Sequence, residues 1–270
     1  MSHLLEVRNL RKHYQRGGGI LAAGGKGERI AAVDDVSFFV APGETFAIVG
    51  ESGCGKTTLA RILLRLIEPD EGKVLFEGTD LLGLSPKEMR AYRRQMQMIF
   101  QDPFASLNPR MKVGEIVAEP LAIHEPQSPR TERLAKAGEI LERVGLGKDA
   151  LPRYPHEFSG GQRQRIGIAR ALILRPKLVV ADEPVSALDV SVGAQVLLLL
   201  RELQTEFGLT YIFISHSLPV VAQLATHIAV MHAGQFVEFG PAELILTEPE
   251  ADYTLELLAA VPLVPRNPVV

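Results

Sequence analysis

The stretch Gly50-Glu51-Ser52-Gly53-Cys54-Gly55-Lys56-Thr57-Thr58 decides the fold of this chain. It follows the apolar run 45–49 and precedes residues 59–66, whose apolar side chains recur at helical spacing. A strand, a glycine-rich turn with Gly-Lys-Thr and then a helix form the pattern of a phosphate-binding loop. The glycines let backbone N–H groups approach a chain of phosphates, because no Cβ atom stands in the way.

The chemistry of this loop predicts a nucleoside triphosphate as its ligand. The helix that begins near Lys56 contributes its positive end and its unpaired N–H groups. We expect Lys56 to reach the β- and γ-phosphates and the Thr57 hydroxyl to bind Mg²⁺. Every residue of the stretch 50–58 is therefore a predicted nucleotide-binding residue.

Composition excludes several other classes of protein. The chain has 270 residues and a formal net charge of −3, which gives no electrostatic footprint for nucleic acid. Its single cysteine, Cys54, lies inside the loop, so no disulfide framework, zinc site or iron–sulfur cluster can be held by this chain's own cysteines. Residues 1–7 lack the profile of a signal peptide, and no apolar run is long enough to cross a membrane. We expect an intracellular protein that does not itself span a membrane.

Strand and helix patterns alternate along most of the chain, which predicts an α/β protein with a mostly parallel sheet. The glycine- and charge-rich segment 16–29 predicts a long mobile loop. From residue 101 to about 156 the strand patterns disappear, and helices are predicted near 113–124 and 130–144. We interpret this region as a helical subdomain inserted into the α/β core.

Two acidic residues follow the buried strand predicted over 178–181. Asp182 would lie beside the phosphate loop, where it can hold Mg²⁺, in our interpretation through water. Glu183 would then orient and deprotonate the attacking water. The alternative is a solvated strand end, where acidic residues are common.

The segment Ser159-Gly160-Gly161-Gln162 resembles a second anion cradle at a helix start. An ordinary helix cap is the alternative, and Ser159 alone would satisfy it. One nucleotide does not need two cradles in one chain. The surplus suggests that this one faces a nucleotide bound to another molecule.

The phosphate loop, Ser159 to Gln162, Asp182-Glu183, 186–189 and His216 occur in the order and spacing of ABC-transporter ATPase subunits, which the chain resembles over nearly its whole length. The resemblance implies a P-loop NTPase fold with a mostly parallel core sheet, an N-terminal antiparallel β region, an inserted helical subdomain and a short C-terminal extension. The implied divisions are a nucleotide-binding domain over 1–240, the helical subdomain over about 102–157, and the extension over 241–270.

The same resemblance implies roles for further residues. Tyr14 matches the aromatic residue that stacks on adenine, and Gln101 the glutamine that touches Mg²⁺ or the water. His216 matches the histidine that contacts the γ-phosphate. Ser159, Gly160, Gly161 and Gln162 match the signature loop, which caps ATP bound to the opposite subunit of a head-to-tail dimer. Asp189 lies at the implied dimer interface.

The segment 97–110, the residues 156–159 and the tail 253–262 are similar to those of dipeptide and oligopeptide importers. Those importers use two related ATPases, and the D type carries a cysteine-containing extension associated with an iron–sulfur cluster. This chain has no cysteine there and ends early, so it resembles the F type. Importers of nickel, glutathione or other small solutes use closely similar ATPases and remain an alternative for the cargo.

The resemblance also implies cofactors, partners and location. ATP and Mg²⁺ would be bound, and the partners would be a paralogous D-type ATPase, two transmembrane permeases and an extracytoplasmic solute-binding protein. The location would be the cytoplasmic face of the cell membrane, peripherally. A soluble ABC ATPase acting on DNA or ribosomes is disfavoured by the missing basic surface, and a degenerate regulatory cassette by the intact Lys56, Asp182, Glu183 and His216. The chain departs from the family pattern at two places. Ser217 stands where aspartate is usual, and Thr226-His227 stands where the family commonly has a charged pair.

Overall fold

The computed structural model describes residues 3–16, 28–102 and 104–260. The centre of the predicted loop 16–29 and the proline-containing end 261–270 lie outside the described residues. Arg16 and Arg29, which we expected in that loop, instead belong to strands, because they pair with Glu28 and Gln15 across an antiparallel ladder.

Ten strands form two sheets in the ranges that the structure describes. In chain order they are β1 (Leu5–Arg16), β2 (Glu28–Val40), β3 (Thr45–Val49), β4 (Glu71–Phe76), β5 (Thr79–Asp80), β6 (Met96–Ile99), β7 (Leu178–Asp182), β8 (Thr210–Ser215), β9 (His227–His232) and β10 (Gln235–Pro241). One sheet has six strands in the order β10-β9-β3-β8-β7-β6, and the other has four in the order β2-β1-β4-β5.

Nine α-helices of very different lengths connect or flank these strands in the described part of the chain. They are α1 (Lys56–Leu63), α2 (Pro86–Arg93), α3 (Val113–His124), α4 (Arg130–Arg143), α5 (Gly160–Leu172), α6 (Val190–Phe207), α7 (Leu218–Val221), α8 (Ala242–Thr247) and α9 (Asp252–Ala259). None of the helices in the described ranges is long and apolar enough to cross a membrane.

The sheet topology confirms the predicted fold. Strands β9, β3, β8, β7 and β6 are parallel, and only β10 pairs with its neighbour in the antiparallel sense. The four-stranded sheet formed from the N-terminal part of the chain is antiparallel throughout. Within the described residues between β6 and β7 no strand occurs, which agrees with a helical insertion.

Strand β3 lies inside the six-stranded sheet, and both of its faces are buried. Ala47 and Val49 pack into one apolar cluster, with the helices of the insertion. Phe46 and Ile48, on the other face, pack into a second cluster with the antiparallel sheet. This is the period of two expected of a strand covered on both sides. The phosphate loop therefore begins at the end of a strand that has little freedom to move.

The helices α3, α4 and α5 pack together, and the buried Ala137, Ile140 and Leu141 of α4 form part of the first cluster. The other boundaries differ modestly from expectation. Helix α6 begins at Val190 rather than near residue 193, because the Asp189 carboxylate caps it by accepting a hydrogen bond from the Val192 N–H at 2.9 Å. Helix α7 ends at Val221, earlier than the predicted residue 225. Helix α8 was not predicted, because six residues are too few for a periodic signal.

Candidate functional site

The phosphate loop connects β3 to α1 and requires glycine at two positions. Gly55 has a φ of 116°, and a Cβ atom there would lie 1.9 Å from the carbonyl oxygen of Ala32. Gly50 is equally constrained, because a Cβ atom would lie 2.1 Å from the carbonyl oxygen of Met231. Both contacts are with backbone atoms, which cannot rotate away. The loop is thus moulded against β2 and β9 in a form that only these glycines permit.

Lys56 is the first residue of α1, and its side chain folds back over the loop. Its ammonium donates hydrogen bonds of 2.7 Å to the carbonyl oxygens of Gly50 and Glu51. The residue is only 4% exposed. The charge is therefore held directly above the turn of backbone that the sequence assigned to phosphate binding.

A cavity of about 760 Å³ opens over this loop. Most of the residues predicted to bind nucleotide or to act in hydrolysis line it: Tyr14, Glu51, Ser52, Gly53, Gly55, Lys56, Thr57, Thr58, Gln101, Glu183 and His216. Ile30, Ala31, Ala32 and Leu257 complete the lining. The fold thus brings together residues that lie more than 200 positions apart in the chain.

Gly50 and Cys54 do not line the cavity, although the sequence places them in the loop. The Cys54 side chain is buried in the cluster between the two sheets, and burial raises the pKa of its thiol. Cys54 and Gly50 therefore shape the loop from below, whereas the neighbouring residues face the cavity.

Thr57 and Asp182 meet beside the loop. Thr57 lines the cavity over the loop, whereas Asp182 lines a neighbouring cavity that Thr57 and Gln101 also border. The Thr57 hydroxyl donates a hydrogen bond of 3.2 Å to Oδ1 of Asp182, a residue that is only 3% exposed. Burial raises the pKa of Asp182, and the opposing effects of the Thr57 hydrogen bond and of the charges of Arg61 and Lys56 do not offset it. Two adjacent hard oxygens, one of them a desolvated carboxylate in need of a cation, fit Mg²⁺ by the chemistry of the donors.

Glu183 follows Asp182 and has an uncommon backbone conformation. Its φ is +46°, in the left-handed region that non-glycine residues rarely occupy. A hydrogen bond of 3.0 Å from its N–H to the carbonyl of Ile214 holds this conformation. Strain of this kind persists only where surrounding structure enforces it, and it clusters at functional sites. Here it turns the side chain towards the cavity.

Gln101 and His216 converge on the Glu183 carboxylate. Gln101 Nε2 donates a hydrogen bond of 3.1 Å to Oε2 of Glu183, and Nδ1 of His216 lies 3.2 Å from the same oxygen. The Glu183 side chain is 14% exposed, whereas that of His216 is 54% exposed. Both contacts therefore fall on one and the same oxygen of the carboxylate.

Tyr14 also lines the cavity, on β1 beside its ladder partner Ile30. Both side chains are more than 40% exposed. The Lys12 ammonium lies 5.8 Å from the centre of the Tyr14 ring. An exposed aromatic face next to an apolar side chain is a surface on which a flat heterocycle can stack.

The signature segment lies elsewhere. Ser159 caps α5: its Oγ accepts a hydrogen bond from the Gln162 N–H, and the Gln162 side chain accepts one from the Ser159 N–H. The ordinary helix cap that the sequence offered as the alternative is therefore present, and it has the form of a capping box. Gly161 is buried, and a Cβ atom on it would lie 2.3 Å from Cγ1 of Val192 in α6. None of the four residues Ser159–Gln162 is among those that line the cavity over the phosphate loop.

Sequence reasoning missed two groups of residues. Arg170, on α5, donates a hydrogen bond of 2.5 Å to the carbonyl of Ser106 and helps to line a second cavity of about 700 Å³ beside Gln101. Tyr253 and Leu257, on α9, reach the phosphate loop and its cavity. An arginine in a helix carries no functional signal in a single sequence. The tail 253–262 indicated a resemblance to peptide importers, but only the fold shows that it reaches the phosphate loop.

Comparison with known proteins agrees with this geometry. A family profile described as "ABC transporter" matches residues 33–186. The putative oligopeptide transport ATP-binding protein YkfD of Bacillus subtilis (strain 168) is 52% identical over 260 residues, which are 96% of this chain and 77% of that protein. The oligopeptide transport ATP-binding protein OppF of the same organism is 51% identical over 261 residues, or 96% and 83% of the two chains.

Solved structures support the same fold. The ATP-binding cassette MJ0796, in a dimeric post-hydrolysis state bound to ADP and Pi, superposes with a TM-score of 0.76 and 30% sequence identity. The match covers 88% of this chain and 98% of that one.

Proposed function

The chain belongs to the ABC transporter family, and from this membership we propose that it is the ATP-hydrolysing subunit that powers import of dipeptides and oligopeptides. It binds ATP, hydrolyses it, and works with the membrane permease subunits of its transporter. Peptide transport is in the names of relatives with half of their residues identical over 96% of this chain.

One observation carries the assignment of the hydrolytic residues: Gln101, Glu183 and His216 converge at the edge of the cavity that the phosphate loop borders. With the triphosphate seated on the loop, its γ-phosphate would lie near Lys56 and this cluster. We assign the adenine to Tyr14, which lines the same cavity. A cavity of about 760 Å³ is in the range of sites that hold ligands of this size.

We assign Mg²⁺ to Thr57 and Asp182, with Gln101 at the edge of the site. When bound, the ion neutralises charge on the β- and γ-phosphates. Asp182 is suited to this because burial raises the pKa of its carboxyl despite the opposing charges of Arg61 and Lys56, so a further cation would stabilise the charged form. Lys56 contributes a fixed positive charge, and the backbone N–H groups of the loop contribute the rest.

Glu183 is the proposed general base. Its carboxylate would accept a proton from a water molecule as the water oxygen bonds to the γ-phosphorus and the bond to ADP breaks. Gln101 and His216 hold the carboxylate by one oxygen, so that the other can face the water. Positioning and charge neutralisation supply most of the acceleration in phosphoryl transfer, and the base adds to them.

The separation of the signature segment from the cavity supports a dimer. Ser159, Gly160, Gly161 and Gln162 would cap the ATP bound to a second ATPase subunit, arranged head to tail, as the surplus of anion sites suggests. The related cassette MJ0796 is dimeric in its ADP- and Pi-bound structure. We propose a paralogous D-type subunit as the partner, two permeases on the membrane side and a solute-binding protein outside. The location would then be the cytoplasmic face of the membrane.

The domain divisions proposed for this chain follow the same arrangement. The nucleotide-binding domain would span 1–240, with the helical subdomain at about 102–157 as the part that contacts the permeases. The second cavity supports this, because it lies between Gln101 of the core and Glu119 and Pro120 of the insertion. Closure around ATP would move the insertion, and hydrolysis would let the dimer reopen.

The decisive experiment is ATP hydrolysis by the purified full chain, compared between wild type and Glu183→Gln, with size measurement in Mg·ATP. We expect turnover by the wild type, and a mutant that binds ATP, fails to hydrolyse it and accumulates as a dimer. Glu202→Gln, on the exposed side of α6, is a matched control and should hydrolyse ATP like the wild type. Equal rates for wild type and Glu183→Gln would show that Glu183 is not the base.

A further inference from the structure

The extension after residue 240 returns to the phosphate loop. The hydroxyl oxygen of Tyr253, in the first turn of α9, accepts a hydrogen bond of 3.2 Å from the backbone N–H of Glu51. Leu257 lies one turn further along α9, on the same face, and lines the cavity over the loop. Among the described residues of the extension these two are the ones that reach the nucleotide site.

Helix α9 is held in this place by contacts outside the site. The Glu238 carboxylate, on β10, accepts hydrogen bonds from the N–H groups of Glu250 and Ala251, at 2.9 and 3.1 Å, just before the helix starts. The Tyr253 ring packs on His232, with ring centres 4.2 Å apart. His232 ends β9, the strand beside β3. The phenol is therefore presented to the loop by a side chain whose position is already fixed.

The hydrogen bond from Glu51 matters because of the peptide group to which that N–H belongs. The same peptide unit carries the carbonyl of Gly50, which accepts a hydrogen bond of 2.7 Å from the Lys56 ammonium. Tyr253 thus holds one end of a planar group, and Lys56 is held by the other end. A rotation of this peptide would move the acceptor of Lys56, because the two ends of a planar amide move together.

If Tyr253 did not hold the Glu51 N–H, the Gly50–Glu51 peptide would have freedom to rotate, because it follows a glycine. Glycine has access to more backbone conformations than other residues, and Gly50 is the residue just before this peptide. The tight fit of Gly50 against Met231 limits where its Cα can lie, but the N–H of Glu51 is fixed by the phenol. The extension therefore supplies the hydrogen-bond partner that fixes the N–H end of this peptide.

We propose that Tyr253 is a positioning residue for ATP: it fixes the Gly50–Glu51 peptide and, through it, the Lys56 ammonium, while Leu257 provides an apolar wall for the bound nucleotide. The C-terminal extension is then part of the nucleotide site of its own subunit. This inference rests on the proposed assignment of the phosphate-loop cavity to ATP.

The test is Tyr253→Phe, which keeps the ring on His232 and removes only the hydroxyl. We expect the KM for ATP of the full chain to rise about threefold to tenfold, as for the loss of one hydrogen bond, with kcat within about twofold of wild type. The control is Tyr92→Phe, whose hydroxyl donates a hydrogen bond of 3.0 Å to Thr79 away from the cavity. It removes an equivalent group and should leave KM unchanged.

A second variant, Leu257→Ser, tests the apolar wall and should also raise KM. Because Leu257 packs against the first apolar cluster, this variant should also have a lower melting temperature without ATP, so its KM is measured well below that temperature. Thermal stability with and without ATP separates a positioning role from a structural one. If Tyr253→Phe lowers the melting temperature without ATP and leaves KM unchanged, Tyr253 only anchors the helix and the proposal is overturned. If the wild type hydrolyses ATP and both variants have wild-type KM values, this inference alone fails. If the wild type and Lys56→Ala bind ATP equally, the proposed ATP site itself fails.

Discussion

The Nδ1 atom of His216 lies 3.2 Å from Oε2 of Glu183, although 33 positions separate the two residues. His216 follows β8 and Glu183 follows β7, and these neighbouring parallel strands end at the same edge of the sheet. The contact joins an exposed imidazole to a nearly buried carboxylate whose backbone is in the left-handed conformation. His216 therefore has a defined partner, and its effect on hydrolysis should be exerted beside that carboxylate.

Replacing His216 by alanine should reduce the rate of ATP hydrolysis at saturating ATP by at least about tenfold, as for the loss of one polar group aimed at the reacting phosphate. The KM should change little, since the phosphate loop and Tyr14 remain. Steady-state kinetics measure both values. His124→Ala, at the end of α3, is the control and should be neutral; comparable rates for the two variants would contradict a role for His216.

Replacing Gly161 by alanine should destabilise the chain by about 1–3 kcal/mol, the usual cost of overpacking. The new Cβ would lie 2.3 Å from Cγ1 of Val192. Gly160→Ala is a matched control in the same turn, because its Cβ would lie at an ordinary 3.6 Å from Leu188. Thermal or denaturant unfolding measures both.

The reason for the Gly161 effect can be tested separately. Val192→Ala removes the methyl group that clashes, so the double variant Gly161→Ala/Val192→Ala should recover most of the stability that Gly161→Ala loses. A double-mutant cycle quantifies this coupling. If the double variant is no more stable than the sum of the single effects predicts, the close approach of α5 to α6 is not what requires glycine.

Replacing Arg170 by glutamine should lower the hydrolysis rate in addition to stability. Its guanidinium binds the carbonyl of Ser106 and helps to hold the segment after Gln101 against α5. Arg165→Gln is the control, because Arg165 makes the same kind of bond, to the carbonyl of Val144 at 2.8 Å, away from Gln101. Both variants should lose about 1 kcal/mol of unfolding free energy, but only Arg170→Gln should hydrolyse ATP more slowly. Equal hydrolysis rates for the two variants would show that Arg170 does not act on hydrolysis through the segment after Gln101.

The stability contribution of Glu125 should depend on pH. A hydrogen bond of 2.5 Å from Arg94 lowers the pKa of this carboxyl. The folded chain therefore binds the proton less readily than the unfolded chain, so the contribution is present above the ordinary glutamate pKa and is lost as pH falls through the lowered one. Glu125→Gln should be less stable than wild type at pH 7, by less than about 1 kcal/mol for this partly exposed pair. Denaturant unfolding at several pH values should show the difference vanishing in acid, and a difference that persists there would contradict an electrostatic origin.

The part of the site that could be predicted from sequence is the part that lies in short contiguous motifs. The nine-residue loop, the Asp182-Glu183 pair and Ser159 to Gln162 each carry their chemistry in neighbouring residues, and their predicted places at strand ends and a helix start are those observed. Local rules suffice there, because a glycine-rich turn or a helix cap is determined by a few adjacent residues.

Boundaries and lengths of elements were less accessible. Asp189 begins α6 earlier than apolar periodicity indicates, and the ladder between β1 and β2 extends into a segment whose glycine and charge predicted only a loop. In both cases a specific partner, a capping carboxylate or a neighbouring strand, decides the structure. The periodicity of apolar residues does not reveal which partner a segment will meet.

The sequence by itself therefore determined the class of fold and the phosphate loop, and it supplied the residues that we propose to hold ATP and activate water. Only the tertiary structure decided that Gln101 and His216 share one oxygen of Glu183, that the signature residues lie outside the cavity of their own chain, and that Tyr253 holds the loop some 200 residues before it. The physical reason is range: motifs act through adjacent backbone, whereas these contacts depend on how parallel strands and packed helices align the ends of distant segments.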